Sequence, residues 1–308
     1  MSNDIPLRIV YMGTPDFAVP PLEKLIEAGY TIAAVITAPD KPAGRGRKLT
    51  PSPVKTYALE KGIKVLQPTN LKSPEFIDTL VKLDANLNIV VAFRMLPEIV
   101  WSMPKLGTFN LHASLLPDYR GAAPINWAII NGEKETGLTT FFLQHQIDTG
   151  DILLQEKEEI FEDDTAGSLY TRLMHKGADL VLRTVKGIAN QSLHPTPQAE
   201  CSPVKEAPKI FRETCQIDWQ QPSKKIYDFI RGLSPYPAAW TDVILQKNCK
   251  ILSVHITNHK KLNPGEIETD NKQYLYIGTT DNCIAVDELQ LQGKKKMTTE
   301  AFLRGTQL

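Results

Sequence analysis

The sequence predicts an α/β protein in which a parallel-sheet domain precedes a small β-barrel domain. In the first 190 residues, short apolar runs alternate with segments of helical periodicity, as in β-α-β units with right-handed crossovers. After a proline-rich polar stretch, short segments rich in β-branched and aromatic residues follow, separated by turn residues. At 308 residues, the chain also exceeds the size at which one core keeps growing. We therefore expect a domain at 1–190, a linker at 191–210 and a second domain at 211–308.

The first domain begins with an apolar strand that Gly13 ends before a helical pattern. Thr14, Pro15 and Asp16 follow where a dinucleotide fold would place Gly-x-Gly-x-x-Gly, which argues against an NAD enzyme. Apolar runs predict strands at 7–12, 31–36, 64–66, 88–92, 106–112, 138–143 and 152–160, and periodicity predicts helices near 53–61, 74–83 and 165–190.

The second domain is expected to consist mainly of short strands. Turn signals at 263–265 and 281–282 separate its apolar segments. The pattern predicts one helix at 222–232 and strands at 239–245, 250–256, 274–277 and 283–286.

Charge excludes a globally basic nucleic-acid binder, because Lys+Arg and Asp+Glu both total 35. The segment 202–261 is nevertheless locally basic, with ten Lys/Arg against five Asp/Glu. The four cysteines form no Cys-x-x-Cys pair, which is typical of reduced structural thiols. We find no signal peptide and no membrane-spanning run, and we expect a cytoplasmic protein.

A long basic loop is predicted between the second strand and the next helix. The segment 38–53 contains four prolines and two glycines, so we expect it to form no regular structure. Loops of this length in compact domains are usually functional or disordered. Its cations favour contact with phosphates: Lys41, Arg45, Arg47 and Lys48.

Two polar side chains lie on the same face at the end of the predicted strand 106–112. Alternate residues of a strand share a face, so Asn110 and His112 lie together while Phe109 and Leu111 pack into the core. In an open α/β sheet, active sites lie outside the carboxyl ends of the strands. The same residues would also suit a half-exposed strand with a solvated polar face.

A polar turn after a later strand supplies two carboxylates, Asp148 and Asp151, one of which could reach His112. A carboxylate beside an imidazole fixes its tautomer, and a neighbouring amide can donate to a developing oxyanion. Ser114 lacks a Gly-x-Ser-x-Gly elbow, so direct attack by an amine substrate is preferred over a serine nucleophile. Metal binding by His112 and Asp148 lacks a third ligand at recognisable spacing, and we expect no metal.

Four motifs resemble the signature of the formyltransferases that use 10-formyltetrahydrofolate. They are Asn110-Leu-His112, Ser114-Leu-Leu-Pro117, Tyr119-Arg-Gly121 and Asp148-Thr-Gly150. Within this family, the chain resembles the members that act on methionyl-tRNA, through Gly13-Thr-Pro-Asp-Phe17, the loop from Pro39 to Gly46, Pro51-Ser-Pro-Val-Lys55, Gly121-Ala-Ala-Pro124, Ile217-Asp-Trp219, Ile230-Arg231, Pro235-Tyr-Pro237, Trp240 and Gly293-Lys-Lys295.

The resemblance implies a Rossmann-like catalytic domain, an OB-like second domain and a transfer of the formyl group to the α-amino group of methionyl initiator tRNA, for translation initiation. It implies no obligate protein partner. The implied catalytic residues are Asn110, His112 and Asp148, the implied folate-binding residues are Phe93, Ser114, Leu115, Leu116 and Pro117, and the implied tRNA-binding residues are Lys41, Arg45, Arg47, Lys48 and Lys209.

One segment departs from the family pattern. Residues 92–97 are one residue shorter than usual and carry Arg94 without the usual glycine, so the loop on the folate side is expected to differ. Two alternatives stay open: a formyltransferase acting on an amino sugar nucleotide or another small amine, and a non-catalytic tRNA-binding protein. The basic loop and the C-terminal half argue against the first, and the intact catalytic set argues against the second.

Overall fold

The structure is a computed structural model that describes residues 5–43, 48–199, 203–259 and 261–308. Contacts between residues divide the chain into two compact units. The first comprises Met1–Arg120, Gly137–Glu158 and Thr171–Lys205, and the second comprises Gly121–Thr136, Glu159–Tyr170 and Glu206–Leu308. The units are therefore interleaved along the chain, and the domain boundaries drawn from the sequence stay a prediction.

The strands within the described residues are β1 (Arg8–Gly13), β2 (Thr31–Ile36), β3 (Lys41–Ala43), β4 (Lys48–Thr50), β5 (Val65–Leu66), β6 (Leu87–Val91), β7 (Thr108–His112), β8 (Arg120–Gly121), β9 (Glu135–Phe142), β10 (Ile152–Glu159), β11 (Glu206–Ala207), β12 (Ala239–Thr241), β13 (Cys249–Thr257), β14 (Ile267–Thr269), β15 (Leu275–Gly278), β16 (Cys283–Leu291) and β17 (Met297–Thr298). The helices are α1 (Val19–Glu27), α2 (Pro53–Glu60), α3 (Pro74–Leu83), α4 (Glu98–Trp101), α5 (Pro124–Ile130), α6 (Ala166–Ala189), α7 (Ser223–Leu233) and α8 (Thr299–Leu303).

Seven strands form the first sheet in the order β10-β9-β7-β6-β1-β2-β5. β1 pairs in parallel with both β2 and β6, and β6 pairs in parallel with β7. β9 instead runs antiparallel to β7, which corrects the expectation of a wholly parallel sheet. The chain leaves β1 toward β2 on one side and later continues with β6 on the other. The loops after β1 and β6 therefore flank the topological switch point, where α/β proteins bind ligands.

Strands β1 and β6 are almost wholly buried and mostly apolar, as expected for strands that helices cover in a parallel sheet. Val10, Met12, Ile36 and Val90 belong to one core cluster with residues of α3. α3 begins where the sequence signals it, since the Ser73 hydroxyl accepts a hydrogen bond from the backbone N–H of Phe76 and Pro74 follows.

The second sheet is antiparallel, with strands in the order β12-β13-β16-β15-β14 and β17 paired with β16. Its apolar face packs with α7 and α8 into one core cluster that includes Trp219, Ile230, Ile251 and Phe302. The predicted helix at 222–232 is confirmed as α7. The predicted strand 239–245 ends earlier, at Thr241. The fold class is confirmed as a Rossmann-like domain followed by a mainly antiparallel β domain.

A buried ion pair lies on one face of α7. Asp228 and Arg231 are 4% and 5% exposed, and Arg231 Nε donates to Asp228 Oδ1 at 2.8 Å. Arg231 Nη1 also donates to the carbonyl oxygens of Phe161 and Asp164. The guanidinium is thus satisfied by one carboxylate and two carbonyls, as a buried charge requires.

Candidate active site

The end of β7 carries the two polar residues that the sequence singled out. Asn110 lies between Val90 of β6 and Phe141 of β9, and His112 lies opposite Thr139 of β9. Phe109 is fully buried on the alternate face, as the strand pattern predicts. Asn110 is half-buried, and among the described residues its amide makes no hydrogen bond. This amide is therefore available to a bound molecule.

His112 is held by a backbone carbonyl as well as by its carboxylate neighbour. Its imidazole is 6% exposed, and Nε2 lies 2.8 Å from the carbonyl oxygen of Tyr119. Because a carbonyl oxygen only accepts hydrogen bonds, Nε2 must carry a proton. The other ring nitrogen, Nδ1, faces Asp148 Oδ2 at 3.9 Å. The ring edge also meets the ring of Phe141 at a centroid distance of 6.4 Å, which further restricts its rotation.

The Asp148 turn has a tightly constrained backbone. Asp148 has a φ of 54°, a backbone conformation that residues other than glycine rarely adopt, although aspartate tolerates it better than most. Two residues later, a Cβ on Gly150 would lie 1.6 Å from the carbonyl oxygen of Phe142. The glycine of this Asp-Thr-Gly motif is therefore required by close approach of two backbone segments.

One residue that braces this turn was not found by the sequence reasoning. Gln198 lies in the predicted linker, yet its Nε2 donates to the carbonyl oxygens of Asp148 and Gly150, both at 2.9 Å. Its Oε1 accepts from the guanidinium of Arg120. No local motif marks Gln198, because the contact joins segments about fifty residues apart in sequence.

The segment 114–117 is packed and hydrogen-bonded internally. Ser114 is fully buried, and its hydroxyl donates to the carbonyl oxygen of Asp118 at 2.7 Å. Leu116 is 3% exposed, and its carbonyl oxygen accepts from Gln155 Nε2 at 2.9 Å. Leu115 and Pro117 are half-buried. These contacts fix the loop beside His112, and they leave Leu115 and Pro117 as its more accessible members.

The shortened segment 92–97 follows β6 at the switch point. Phe93 is partly buried against the core cluster of the first sheet, and the Arg94 guanidinium lies 5.7 Å from its ring centroid. Arg94 Nη1 donates to the carbonyl oxygen of Thr69 at 3.0 Å, and Nη2 donates to that of Pro68. Arg94 therefore ties this segment to the one after β5, a role that the usual glycine could not fill.

The basic loop is more ordered than predicted. β3 and β4 pair antiparallel, with Lys41 opposite Thr50 and Pro42 opposite Leu49, so the expectation of no regular structure is wrong. A two-stranded ribbon has only edge strands, which tolerate Pro42 because its missing N–H can face outward. Asp40 anchors the base, since its carboxylate accepts from Lys55 Nζ at 2.7 Å and from Gln67 Nε2 at 2.8 Å. The Lys55 hydrogen bond is the main cause that lowers the Asp40 pKa.

Three of the five predicted tRNA-binding residues lie within the described residues. Lys41 is exposed on β3, and Lys48 begins β4. Arg45 and Arg47 lie outside the described residues. Lys209 is exposed, and its Nζ lies 5.3 Å from the ring centroid of Phe211, which is itself 54% exposed.

Comparison with known proteins decides the family. A model of the formyl transferase family matches residues 7–185, and a model of the formyl transferase C-terminal domain matches residues 209–307. The chain belongs to the formyl transferase family. The resemblance drawn from the motifs is thereby confirmed.

Relatives of this formyl transferase are similar over nearly their whole length. The chain is 54% identical over 310 residues to a methionyl-tRNA formyltransferase of Bacteroides thetaiotaomicron, covering 98% of this chain and 96% of the relative. It is 49% identical over 305 residues to a methionyl-tRNA formyltransferase of Flavobacterium johnsoniae, covering 97% and 96% of the two chains.

Solved structures agree on the fold of this formyl transferase. HypX from Aquifex aeolicus in complex with tetrahydrofolic acid has a TM-score of 0.68 at 19% identity, and the match covers 97% of this chain but only 47% of HypX. This chain thus spans about half the length of HypX. WlaRD, a sugar 3N-formyl transferase, has a TM-score of 0.67 at 22% identity, and the match covers 94% and 100% of the two chains.

Two further properties bear on what this formyl transferase could bind. Within the described ranges, no group of three or more His, Cys, Asp or Glu side chains is arranged to hold a metal ion. No helix in the described part of the chain has both the length and the apolar character needed to span a bilayer.

Proposed function

We propose that this chain transfers the formyl group of 10-formyltetrahydrofolate to the α-amino group of methionine esterified to initiator tRNA, in the cytoplasm. Relatives at 49–55% identity over almost the full chain carry the name of this activity. A fold neighbour was solved with tetrahydrofolic acid. The observation that carries the mechanism is the cluster of Asn110, His112 and Asp148 beside the end of β7.

In the proposed reaction, the neutral amine of the aminoacyl-tRNA attacks the formyl carbon directly. A C–N bond forms, and the carbonyl oxygen becomes an oxyanion. The Asn110 amide, which makes no hydrogen bond among the described residues, can donate to this oxygen. When the tetrahedral species collapses, the bond between the formyl carbon and the folate nitrogen breaks, and this nitrogen leaves with the proton that Asp148 took from the amine. No covalent bond to the enzyme is needed.

His112 and Asp148 are proposed to stabilise the charge that develops in the reaction and to transfer the proton. His112 Nε2–H donates to the Tyr119 carbonyl oxygen, so Nδ1 is the nitrogen available to the reaction. When protonated, His112 stabilises the oxyanion together with Asn110. Asp148 Oδ2, at 3.9 Å, stabilises the ring when Nδ1 is protonated. Asp148 also accepts the proton that the attacking amine loses. This assignment uses only hydrogen-bond donors and one proton acceptor, and we propose that no metal takes part.

The co-substrate and the tRNA are proposed to contact different parts of the chain. The folate would lie near the switch point, beside Phe93 and the segment 114–117. The tRNA would contact the β3–β4 hairpin and the domain at 211–308, a proposal supported by the net positive charge of segment 202–261. The proposed folate-binding residues are Phe93, Ser114, Leu115, Leu116 and Pro117, and the proposed tRNA-binding residues are Lys41, Arg45, Arg47, Lys48 and Lys209.

A formyl-transfer assay tests this function. Purified protein is incubated with 10-formyltetrahydrofolate and one acceptor: methionyl initiator tRNA, uncharged initiator tRNA, methionyl elongator tRNA or an amino sugar nucleotide. We expect rapid formylation of the methionyl initiator tRNA alone. Formylation of the amino sugar with no reaction on charged tRNA would favour the small-amine alternative. No transfer to any acceptor, with tRNA still bound, would favour a non-catalytic binding protein.

A further inference from the structure

The side chain of Gln198 contacts the backbone of the Asp148 turn at two points. Its side-chain amide carries two hydrogens, and the two carbonyl oxygens that it reaches, those of Asp148 and Gly150, lie on either side of Thr149. These two hydrogen bonds span the stretch of backbone that sets the direction of the Asp148 carboxylate. Asp148 itself adopts a φ of 54°, which is uncommon for a residue other than glycine, and the two hydrogen bonds help to hold the turn in this conformation.

Arg120 fixes the amide of Gln198 in the orientation that this contact requires. Arg120 Nη2 and Nε donate to Gln198 Oε1 at 2.5 Å and 3.2 Å. Because the guanidinium only donates, Oε1 must face Arg120 and Nε2 must face the turn. A flipped amide would place its two donors against the guanidinium and turn its acceptor oxygen toward the two carbonyl oxygens.

The same network reaches the other side of the catalytic pair. Arg120 directly follows Tyr119, whose carbonyl oxygen accepts from His112 Nε2 at 2.8 Å. One continuous path therefore runs from the His112 ring through the Tyr119–Arg120 backbone, the Arg120 side chain and Gln198 to the Asp148 turn. The path closes across the 3.9 Å gap between His112 Nδ1 and Asp148 Oδ2.

We propose that Gln198, held by Arg120, is a positioning residue that sets the distance between Asp148 and His112. This inference rests on the proposed catalytic roles of those two residues. Catalytic groups must be held within a fraction of an ångström of their productive geometry, and the hydrogen bonds of a supporting residue do this. The segment around Gln198, which the sequence suggested was only a linker, thereby completes the active site.

The decisive variant is Gln198→Glu, which keeps the shape of the side chain and removes both donated hydrogen bonds. We expect its kcat for formylation of methionyl initiator tRNA to fall about 10–100-fold, as for other supporting residues. KM for both substrates and the melting temperature should stay near the wild-type values. Gln191→Ala is the matched control, because Gln191 is an exposed glutamine of the same segment, and its kcat should not change.

A double-mutant cycle with Asp148→Ala separates positioning from a general structural role. If Gln198 acts only through Asp148, Gln198→Glu should lower kcat less than twofold in the Asp148→Ala background. If the losses of kcat from the two substitutions multiply, Gln198 acts independently of Asp148, and the inference is wrong. It is also wrong if Gln198→Glu has a normal kcat while Asp148→Ala is slow. A wild-type rate for Asp148→Ala would overturn it too, and would at the same time refute the proposed catalytic role of Asp148. If Gln198→Glu unfolds, Arg120→Met replaces it in the same cycle, with the same outcomes.

Discussion

Gly150→Ala should inactivate the enzyme by moving the Asp148 turn. A Cβ at this position would lie 1.6 Å from the Phe142 carbonyl oxygen, whereas ordinary contacts of a Cβ begin at 3.4 Å. Both sides of the clash are backbone, so the turn must shift by about 1.8 Å to accommodate the methyl group. A displacement of roughly 1 Å in a catalytic constellation can cost about 10²-fold in rate. We therefore expect kcat to fall at least about 10²-fold.

The assay is steady-state formylation of methionyl initiator tRNA, together with thermal unfolding. A clash between two backbone segments can cost more than the roughly 1–3 kcal/mol of ordinary overpacking, so thermal unfolding establishes that the variant is folded before its kcat is compared. Gly305→Ala is the matched control, because Gly305 has open space around it and no positive φ, and it should retain full activity. A folded Gly150→Ala variant with wild-type kcat would show that the position of this turn does not matter for the reaction.

Three further predictions concern stability and tRNA binding. Asp228→Ala leaves the buried Arg231 without its carboxylate and should lower the free energy of unfolding by about 3 kcal/mol, measured by urea titration; a loss below about 1 kcal/mol would contradict this. Hydrogen bonding, chiefly from the Ser223 backbone N–H, lowers the pKa of Asp281 in the folded protein. The contribution of Asp281 to stability is therefore complete above its unfolded pKa, about 4, and disappears as the pH falls through the lower native pKa. Asp281→Asn should therefore lose less stability than wild type in urea titrations across that acid range, and parallel curves would refute it. Neutralising Arg45 and Arg47 should weaken the binding of charged tRNA and reduce the slope of its salt dependence by roughly one unit per lost phosphate contact; an unchanged slope would make the segment 41–48 a solvated insertion.

The local sequence pattern predicted the structure correctly where the interactions that determine it lie within one helix or strand. The alternation of Phe109, Asn110, Leu111 and His112 predicted which side chains enter the core, because a strand exposes its two faces in turn. Helices α2, α3, α6 and α7 could be predicted because each has either an N-terminal capping residue or apolar residues that repeat at helical spacing. Helices α4, α5 and α8 were missed because each is only four to seven residues long, too short for periodicity to register.

Features that depend on long-range pairing could not be predicted. The direction of β9 follows from its pairing with β7, and no local residue specifies it. The β3–β4 ribbon forms in spite of Pro42, since backbone pairing between edge strands decides the structure there. Gln198 lies in polar, proline-rich surroundings that are typical of a linker, whereas its side-chain hydrogen bonds reach a turn about fifty residues earlier.

His112, with Asn110 and Asp148, is proposed to carry the chemical step of formyl transfer. The most direct measurement is the single-turnover rate of formylation by His112→Ala, with saturating enzyme and 10-formyltetrahydrofolate. We predict a rate about 10²–10⁴-fold below wild type with unchanged affinity for methionyl initiator tRNA, the range expected for loss of acid/base and oxyanion assistance. His194→Ala, at an exposed histidine of the same unit, should react at the wild-type rate. A folded His112→Ala variant that formylates at a near-wild-type rate would contradict the account.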